Sequence, residues 1–161
     1  MCMKYVNATV GCYKSVIEVN KKLVSYNFPF DTIDVEDKKP AICDFQIVTQ
    51  ISIRGTLNER EKQSNPIEKK KKLEFVLRIT KCDADESKRQ GSDLDRFVID
   101  LEKEKIQMAC FGFYNYNRIT YVNHLKLPYG TGKYVIKVLV KEVGQSDDDF
   151  SIQSMYALTI K

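Results

Sequence analysis

The chain has 161 residues, of which 43% are hydrophobic and 30% are charged, and its net charge is +4. This length suits one domain with its own apolar core, and the composition excludes a disordered chain. The charge surplus is too small to indicate a nucleic-acid binder by itself. No window approaches the roughly 18 apolar residues of a membrane span. We therefore expect a single domain, residues 1–161, with no membrane span.

The cysteines indicate the redox environment of the protein. There are five of them, at positions 2, 12, 43, 82 and 110. Their odd number and wide spacing argue against a disulfide framework. Reduced and mostly buried thiols are typical of a reducing compartment. Because the first residues, Met1 to Tyr5, lack the apolar core of a signal peptide, we expect a cytoplasmic protein.

The first third of the chain contains short apolar runs. Lys4–Val10 and the pair Ile33 and Val35 read as brief strands. The stretch Ser15–Phe28 is ambiguous, because its apolar residues also fit one stripe of a helix. Its β-branched residues, and the proline at position 29, favour extended structure. We predict strands here, with one short helix near residues 15–26 as the alternative.

The middle of the chain alternates strands with polar loops. Ile42–Arg54 and Leu73–Lys81 place apolar residues at every second position, which predicts strands with one buried face. A shorter strand is expected at residues 97–101. Residues 56–72 and 82–95 are rich in Lys, Asp, Glu and Ser, so we predict two long exposed loops there.

The last third contains four further predicted strands. They are Ile106–Tyr114, Ile119–Leu127, Lys133–Val143 and Phe150–Ile160. Many short strands without helical spacers predict an all-β fold, an antiparallel β-sandwich.

One segment narrows the type of sandwich. In Leu125-Lys-Leu-Pro-Tyr-Gly-Thr-Gly-Lys-Tyr134, a tyrosine follows a turn and begins a strand. This resembles the tyrosine corner of immunoglobulin-like and fibronectin-type sandwiches, in which the hydroxyl bonds to upstream backbone. A strand after Pro40, a long loop and a Gly-x-Tyr-x-x-x-Val strand are also similar to small uncharacterised bacterial sandwich domains. The resemblance implies an immunoglobulin-like or C2-like fold and no activity.

Catalytic motifs are incomplete. Gly130-Thr-Gly-Lys133 lacks the other residues of a phosphate-binding loop and leads into a strand instead of a helix. His124 is the only histidine, and the expected register puts Cys110 on the opposite face of the sheet. We therefore predict no catalytic residues, no cofactor and no enzymatic activity.

Acidic turns are the one candidate for a metal site. Asp147–Asp149 could combine with other loop carboxylates, those of Asp83, Asp85, Asp93 and Asp95. Calcium needs six to eight converging oxygens, and no EF-hand spacing is present. A solvated turn is the favoured interpretation and no metal site is predicted, with calcium-dependent membrane docking as a minor alternative.

A predicted hairpin in the last third supplies the candidate binding surface. If Asn115–Arg118 is a four-residue loop, Tyr114 lies opposite Ile119, and Phe111 lies opposite Val122. The face assigned to the core then carries Met108, Cys110, Gly112, Tyr114, Ile119, Tyr121 and Leu125. The other face carries Phe111, Phe113 and Val122, an apolar cluster that is either covered by residues 4–28 or forms an interface.

These residues lead to two functional hypotheses. The first is a non-enzymatic protein-binding or assembly module, with a protein partner or self-association. Its predicted binding residues are Phe111, Phe113, Tyr116, Arg118 and Val122. The alternative is nucleic-acid or polyanion binding through the aromatic hairpin 111–122 and a basic loop formed by Lys69, Lys70, Lys71 and Lys72.

Overall fold

The computed structural model describes residues 6–19, 22–36, 40–54, 72–82, 91–101, 103 and 113–161. These residues lie almost entirely in β-strands, together with one short 3₁₀ helix at Asp147–Asp149. In this part of the chain there is no helix long and apolar enough to cross a membrane. The predicted all-β class is confirmed.

The described strands form two sheets. They are β1 (Val6–Val19), β2 (Lys22–Pro29), β3 (Thr32–Ile33), β4 (Ala41–Arg54), β5 (Lys72–Lys81), β6 (Ser92–Asp100), β7 (Phe113–Leu127), β8 (Gly132–Glu142) and β9 (Ser151–Ile160). The first sheet has the order β2-β1-β4-β7, and the second has the order β3-β9-β8-β5-β6. Every described pairing is antiparallel except β3 with β9, which are parallel.

One apolar core lies between the sheets. Alternate residues of β4, β5 and β8 point inward, and their largest side chains are fully buried, namely Ile47, Ile51, Ile53, Leu73, Phe75, Leu77, Ile79 and Ile136. Burying one such side chain contributes about 1.5–3 kcal/mol, so these three strands dominate the packing. The predicted sandwich is confirmed, whereas its immunoglobulin-like or C2-like subtype stays a prediction.

The ambiguous stretch after Ser15 is extended. Val16 of β1 lies opposite Tyr26 of β2, and the two strands form an antiparallel ladder. The alternative of a short helix near residues 15–26 is therefore wrong. The β-branched residues fit a pleated strand, and the ladder satisfies the backbone groups that a helix would have paired internally.

The hairpin predicted at Asn115–Arg118 is also wrong. Residues 113–127 form the single strand β7, and Asn117 and Tyr116 lie opposite Gln50 and Ile51 of β4. Asparagine favours turns in isolation, but this pairing continues along the whole of β7 and outweighs the local preference.

A β-bulge in β7 sets which residues point inward. Val122 lies opposite Phe45 and Leu125 lies opposite Cys43, so that two residues of β7 face the single residue Asp44. His124, inside the bulge, has a φ of 54°. Extra residues of this kind reverse the alternation of faces along a strand.

Burial along β7 contradicts the predicted faces. Val122 is only 6% exposed and belongs to the core, so it shares no exposed cluster with Phe113, which is 47% exposed on the opposite face. Tyr121, predicted in the core, is 52% exposed. Tyr114 and Leu125 do pack against the core as predicted. The prediction for Phe111 lies outside the described residues.

The structure describes the C-terminal ends of the two predicted loops, residues 56–72 and 82–95. The loop at 82–95 ends earlier than expected, because β6 begins at Ser92 and pairs with β5 from there. The loop at 56–72 ends where Lys72 begins β5. The rest of that loop, and the predicted strand from residue 106 to residue 112, lie outside the described residues.

The hydrogen bond expected of a tyrosine corner is present. Tyr134 is buried, and its hydroxyl donates to the carbonyl oxygen of Gly130 at 2.6 Å. Gly130 itself has a φ of 72°, a conformation that favours glycine. The turn before β8 is thus fixed from inside the core.

Candidate functional site

A cleft opens where β1 leaves β4. The two strands pair from Val6 and Ile53 as far as Cys12 and Ile47. From Tyr13 onward β1 pairs with β2 instead. Residues 41–46 of β4 pair with β7 on one side. Among the described strands, none pairs with their other side, so this side of β4 is an open strand edge within the first sheet.

The cleft has a volume of about 490 Å³ and draws its walls from four parts of the chain. Its lining residues are Tyr13, Lys14, Phe30, Thr32, Ile33, Asp34, Asp44, Phe45, Gln46, Tyr121 and Asn123. The volume lies within the range of ligand sites, roughly 300–1,000 Å³. The lining combines aromatic rings with a few polar groups, which is the usual composition of a binding site.

The aromatic wall is held in place by the surrounding strands. The backbone N–H of Phe30 donates to the carbonyl of Cys12 at 3.1 Å. The hydroxyl of Tyr156, in the second sheet, donates to the carbonyl of Phe30. Tyr13 lies over Gly11, where a Cβ would come within 3.0 Å of the tyrosine ring. Gly11 therefore lets this ring lie close to the sheet.

Two polar side chains of β4, Gln46 and Asp44, differ in their hydrogen bonding. The side-chain oxygen Oε1 of Gln46 is buried and has no hydrogen-bond partner among the described residues. A buried acceptor without a donor is costly, by about 1–3 kcal/mol, so this oxygen would gain from a ligand N–H or O–H. Asp44 instead accepts a hydrogen bond from the backbone N–H of His124 at 2.5 Å, which stabilises the bulge.

The predicted binding residues Tyr116 and Arg118 point into the sandwich. Arg118 donates from Nε to Asp95 Oδ2 at 2.6 Å and from Nη2 to Asp95 Oδ1 at 3.0 Å. Its Nη1 reaches the hydroxyl of Tyr116 at 3.2 Å, and its guanidinium lies 4.6 Å from the ring centre of Phe97. Thr120 donates to the same carboxylate at 2.7 Å. These contacts join the edge strands of the two sheets.

The pKa values follow from this pairing. Burial by itself would raise the pKa of Asp95, but hydrogen bonds from Arg118 and Thr120 outweigh it, and the pKa is lowered. The hydrogen bond to Asp95 likewise raises the pKa of the Arg118 guanidinium. Both groups are charged at neutral pH and satisfied inside the fold, so this pair is an internal clamp and is poorly placed for ligand binding.

The remaining predicted binding residues are not brought together. Phe113 begins β7 on the outer face of the first sheet, and Val122 is in the core. Lys72 begins β5 in the second sheet, where its Nζ lies 3.9 Å from Asp100. Lys69, Lys70, Lys71 and Phe111 lie outside the described residues, and so does the basic loop as a unit.

Among the described residues, the histidine and cysteines considered as catalytic or metal-binding residues are either exposed singly or buried in the core. The side chain of His124 is 85% exposed at the bulge. Burial raises the pKa of the Cys12 thiol to about 12 and raises that of Cys43, whereas Cys82 is exposed. Within the described ranges, no group of three or more His, Cys, Asp or Glu residues could hold a metal ion.

The acidic turn after β8 is closed by its own residues. Ser146 caps the 3₁₀ helix, its backbone N–H donates to Asp149, and Lys141 Nζ donates to Asp147 Oδ1 at 2.6 Å. The hydrogen bond from Lys141 lowers the pKa of Asp147. These contacts engage the carboxylates of Asp147 and Asp149, and the interpretation of this segment as a solvated turn stays a prediction.

Sequence reasoning missed the cleft. Its residues come from distant positions, and they meet only because β1 changes partner in the middle of a continuous strand. The only local indication is Pro29-Phe30, an aromatic residue directly after the proline that ends β2.

Comparisons with known proteins assign no family to this chain. No protein-family model and no curated protein matches the chain. Two solved structures have a distant likeness: a β-glucosidase from Listeria innocua (TM-score 0.43, 8% identity, 97% of this chain) and one from Kluyveromyces marxianus (TM-score 0.38, 13% identity, 84% of this chain). This chain spans 16% and 15% of their lengths. Scores this low carry no argument about the fold or activity of this chain.

Proposed function

We propose that the chain is a non-enzymatic binding module that takes an extended segment of a protein partner into the cleft between β1 and β4. The observation that carries this proposal is the edge of residues 41–46, which no described strand pairs on the side away from β7, and of which Asp44, Phe45 and Gln46 line the cleft. An added strand would place its backbone groups against this edge, as in β-strand addition.

The backbone supplies the affinity in this mode of binding. In an antiparallel pair, alternate residues direct both their N–H and their C=O toward the same neighbour. About three of residues 41–46 therefore direct these groups toward the cleft. Unpaired strand edges favour pairing with another chain, and proteins usually block them with charge or proline. Residues 41–46 themselves contain no proline or lysine, and Asp44 is their one charged residue.

The side chains of the cleft supply the selectivity. Tyr13, Phe30 and Tyr121 are aromatic walls for the side chains that alternate along an extended segment. The buried acceptor of Gln46 suits a donor on the ligand. We therefore expect the bound segment to carry apolar or aromatic residues at every second position.

The charges of the cleft favour a protein over a polyanion. Asp34 and Asp44 lie at its rim together with Lys14, so the carboxylates outnumber the amines. A phosphate backbone would be repelled by this arrangement. Nucleic-acid binding through the basic loop stays a separate and untested prediction.

Selection from a random peptide library displayed on phage tests the proposal. We expect enriched peptides with alternating apolar residues whose affinity falls about tenfold or more when Tyr121, exposed at the cleft, becomes alanine. Tyr129→Ala is the matched control, since Tyr129 is an exposed tyrosine outside this cleft.

Modified peptides test the backbone contacts. N-methylation at every second position of a selected peptide should abolish binding in one register and spare it in the other. Equal effects in both registers, or no enriched peptide at all, would refute strand addition.

A further inference from the structure

The outer faces of the two sheets differ in charge. On the second sheet, the outward residues of β5, β6 and β8 form a network of ion pairs from Glu74, Arg78, Asp93, Arg96 and Lys141. Charged residues are usual on the outer face of a sheet, although Lys141, Val76 and Leu139 on this face are buried. The first sheet lacks a comparable network among its described residues, although the chain is 30% charged.

The corresponding rows of the first sheet are polar and uncharged. Asn7 lies opposite Ser52, which lies opposite Asn115. In the next row, Thr9 lies opposite Gln50, which lies opposite Asn117. We call these six residues, Asn7, Thr9, Gln50, Ser52, Asn115 and Asn117, the amide face. The inward neighbours Ile51 and Tyr116 confirm that the six side chains point outward.

The amide face contains a depression, and three of its side-chain amides are open to solvent. A depression of about 350 Å³ lies over its two rows and is lined by all six residues. Asn7, Asn115 and Asn117 are exposed, and their side-chain amides make no hydrogen bond within the part of the chain that the structure describes. Phe113 is also exposed and lies on the same face, two residues before Asn115 in β7. Its partner on β4 is Arg54.

We propose that the amide face binds a neutral glycan chain. Sugar hydroxyls both donate and accept hydrogen bonds, and so do asparagine and glutamine amides, which makes the two groups complementary in either direction. An uncharged ligand gains nothing from ion pairs, and charged side chains would cost more to desolvate. The exposed ring of Phe113 offers an apolar surface to the C–H face of a sugar.

This site is distinct from the peptide cleft and does not rest on it. A row of apolar residues, Gly11, Val48 and Ile119, separates the amide face from Gln46 and Tyr121 in the cleft. The hydrogen bonds are few and exposed to water, so we expect a Kd in roughly the micromolar to millimolar range for a short chain.

Affinity electrophoresis in native gels tests the proposal directly. The probes are soluble neutral polysaccharides (hydroxyethylcellulose, mixed-linkage β-glucan, xylan, galactomannan and dextran), with heparin and polygalacturonate as anionic comparisons. We expect at least one neutral polymer to retard the chain. Since no charge takes part, the retardation should be unchanged between about 0.05 M and about 0.5 M salt.

Variants locate the binding on the surface. Combining Asn115→Ala with Asn117→Ala should weaken binding about tenfold or more, and Phe113→Ala should also weaken it. Lys126→Ala is the control, because Lys126 is an exposed polar residue of the same strand that lines neither the depression nor the cleft. Thermal unfolding followed by circular dichroism checks each fold, and Asn117→Ser replaces the double variant if that variant does not fold.

Three outcomes would overturn the proposal. They are no retardation by any neutral polymer, retardation by the anionic polymers only, and equal losses for the Lys126 control and the amide-face variants. A negative result for glycan binding would not contradict peptide binding in the cleft. Peptide affinity is measured separately and should be unchanged in the Asn115 and Asn117 variants.

Discussion

Replacing Asp95 by alanine tests the clamp between the two sheets. The substitution removes a carboxylate that accepts two hydrogen bonds from Arg118, at 2.6 and 3.0 Å, and one from Thr120, at 2.7 Å. Arg118 would then keep its charge, and its remaining partners among the described residues would be Tyr116 and the ring of Phe97. An unpaired charge inside a fold is strongly destabilising.

The magnitude follows from burial and geometry. Breaking a fully buried ion pair costs about 3–5 kcal/mol. The side chain of Asp95 is 14% exposed and that of Arg118 is 33% exposed, so water recovers part of the loss. We expect Asp95→Ala to lower the free energy of unfolding by about 2–3 kcal/mol.

Urea unfolding measures this loss through the midpoint and slope of the transition. Asp93→Ala is the matched control: Asp93 pairs with Arg78 and Arg96 on the outer face and is 35% exposed, so its loss should be about 1 kcal/mol or less. Equal losses for the two variants would refute the reasoning.

The same pair predicts a dependence on pH. The pKa of Asp95 is lower in the folded chain than its ordinary value, so the carboxylate stabilises the fold above that ordinary value. This contribution is lost as the pH falls through the folded pKa. The stability difference between the wild type and Asp95→Ala should therefore shrink below about pH 4. A difference that stays constant down to pH 2 would contradict the assignment.

Three further predictions test single residues. Tyr134→Phe removes the hydroxyl that satisfies a buried carbonyl, so the free energy of unfolding should fall by about 1–2 kcal/mol in urea; an unchanged midpoint would contradict this. Brief alkylation followed by peptide mass mapping should modify the exposed Cys82 and spare Cys12, whose pKa is about 12; equal labelling would show that the second thiol is accessible. Val122→Asp should prevent folding, whereas Phe113→Asp should lower the free energy of unfolding by about 1 kcal/mol or less, as measured by circular dichroism melting. A larger loss for Phe113→Asp than for Val122→Asp would contradict the burial of Val122.

The sequence predicts well where alternation is strong. In β4, β5 and β8 the apolar residues recur at every second position, and these are the strands that fill the core. The hydrogen bond of Tyr134 was also predictable, because turn and tyrosine are neighbours in the chain. Local patterns suffice where the determining contacts are local or where one face is continuously apolar.

The sequence fails where tertiary pairing decides. Asn115-Tyr-Asn-Arg118 looks like a turn, yet its asparagines face water and its tyrosine and arginine face the interior as part of β7. The bulge at His124 then reverses the faces, and no local pattern predicts it. The change of partner by β1 is equally non-local, so the cleft could be found only from the assembled sheets.

Backbone amide hydrogen exchange, measured with and without a peptide selected on the chain, tests the central claim most directly. If an added strand occupies the cleft, amides within residues 41–46 that face β1 should become protected, and those already paired with β7 should change little. Protection confined to other strands, with residues 41–46 unchanged at saturating peptide, would contradict the proposed site.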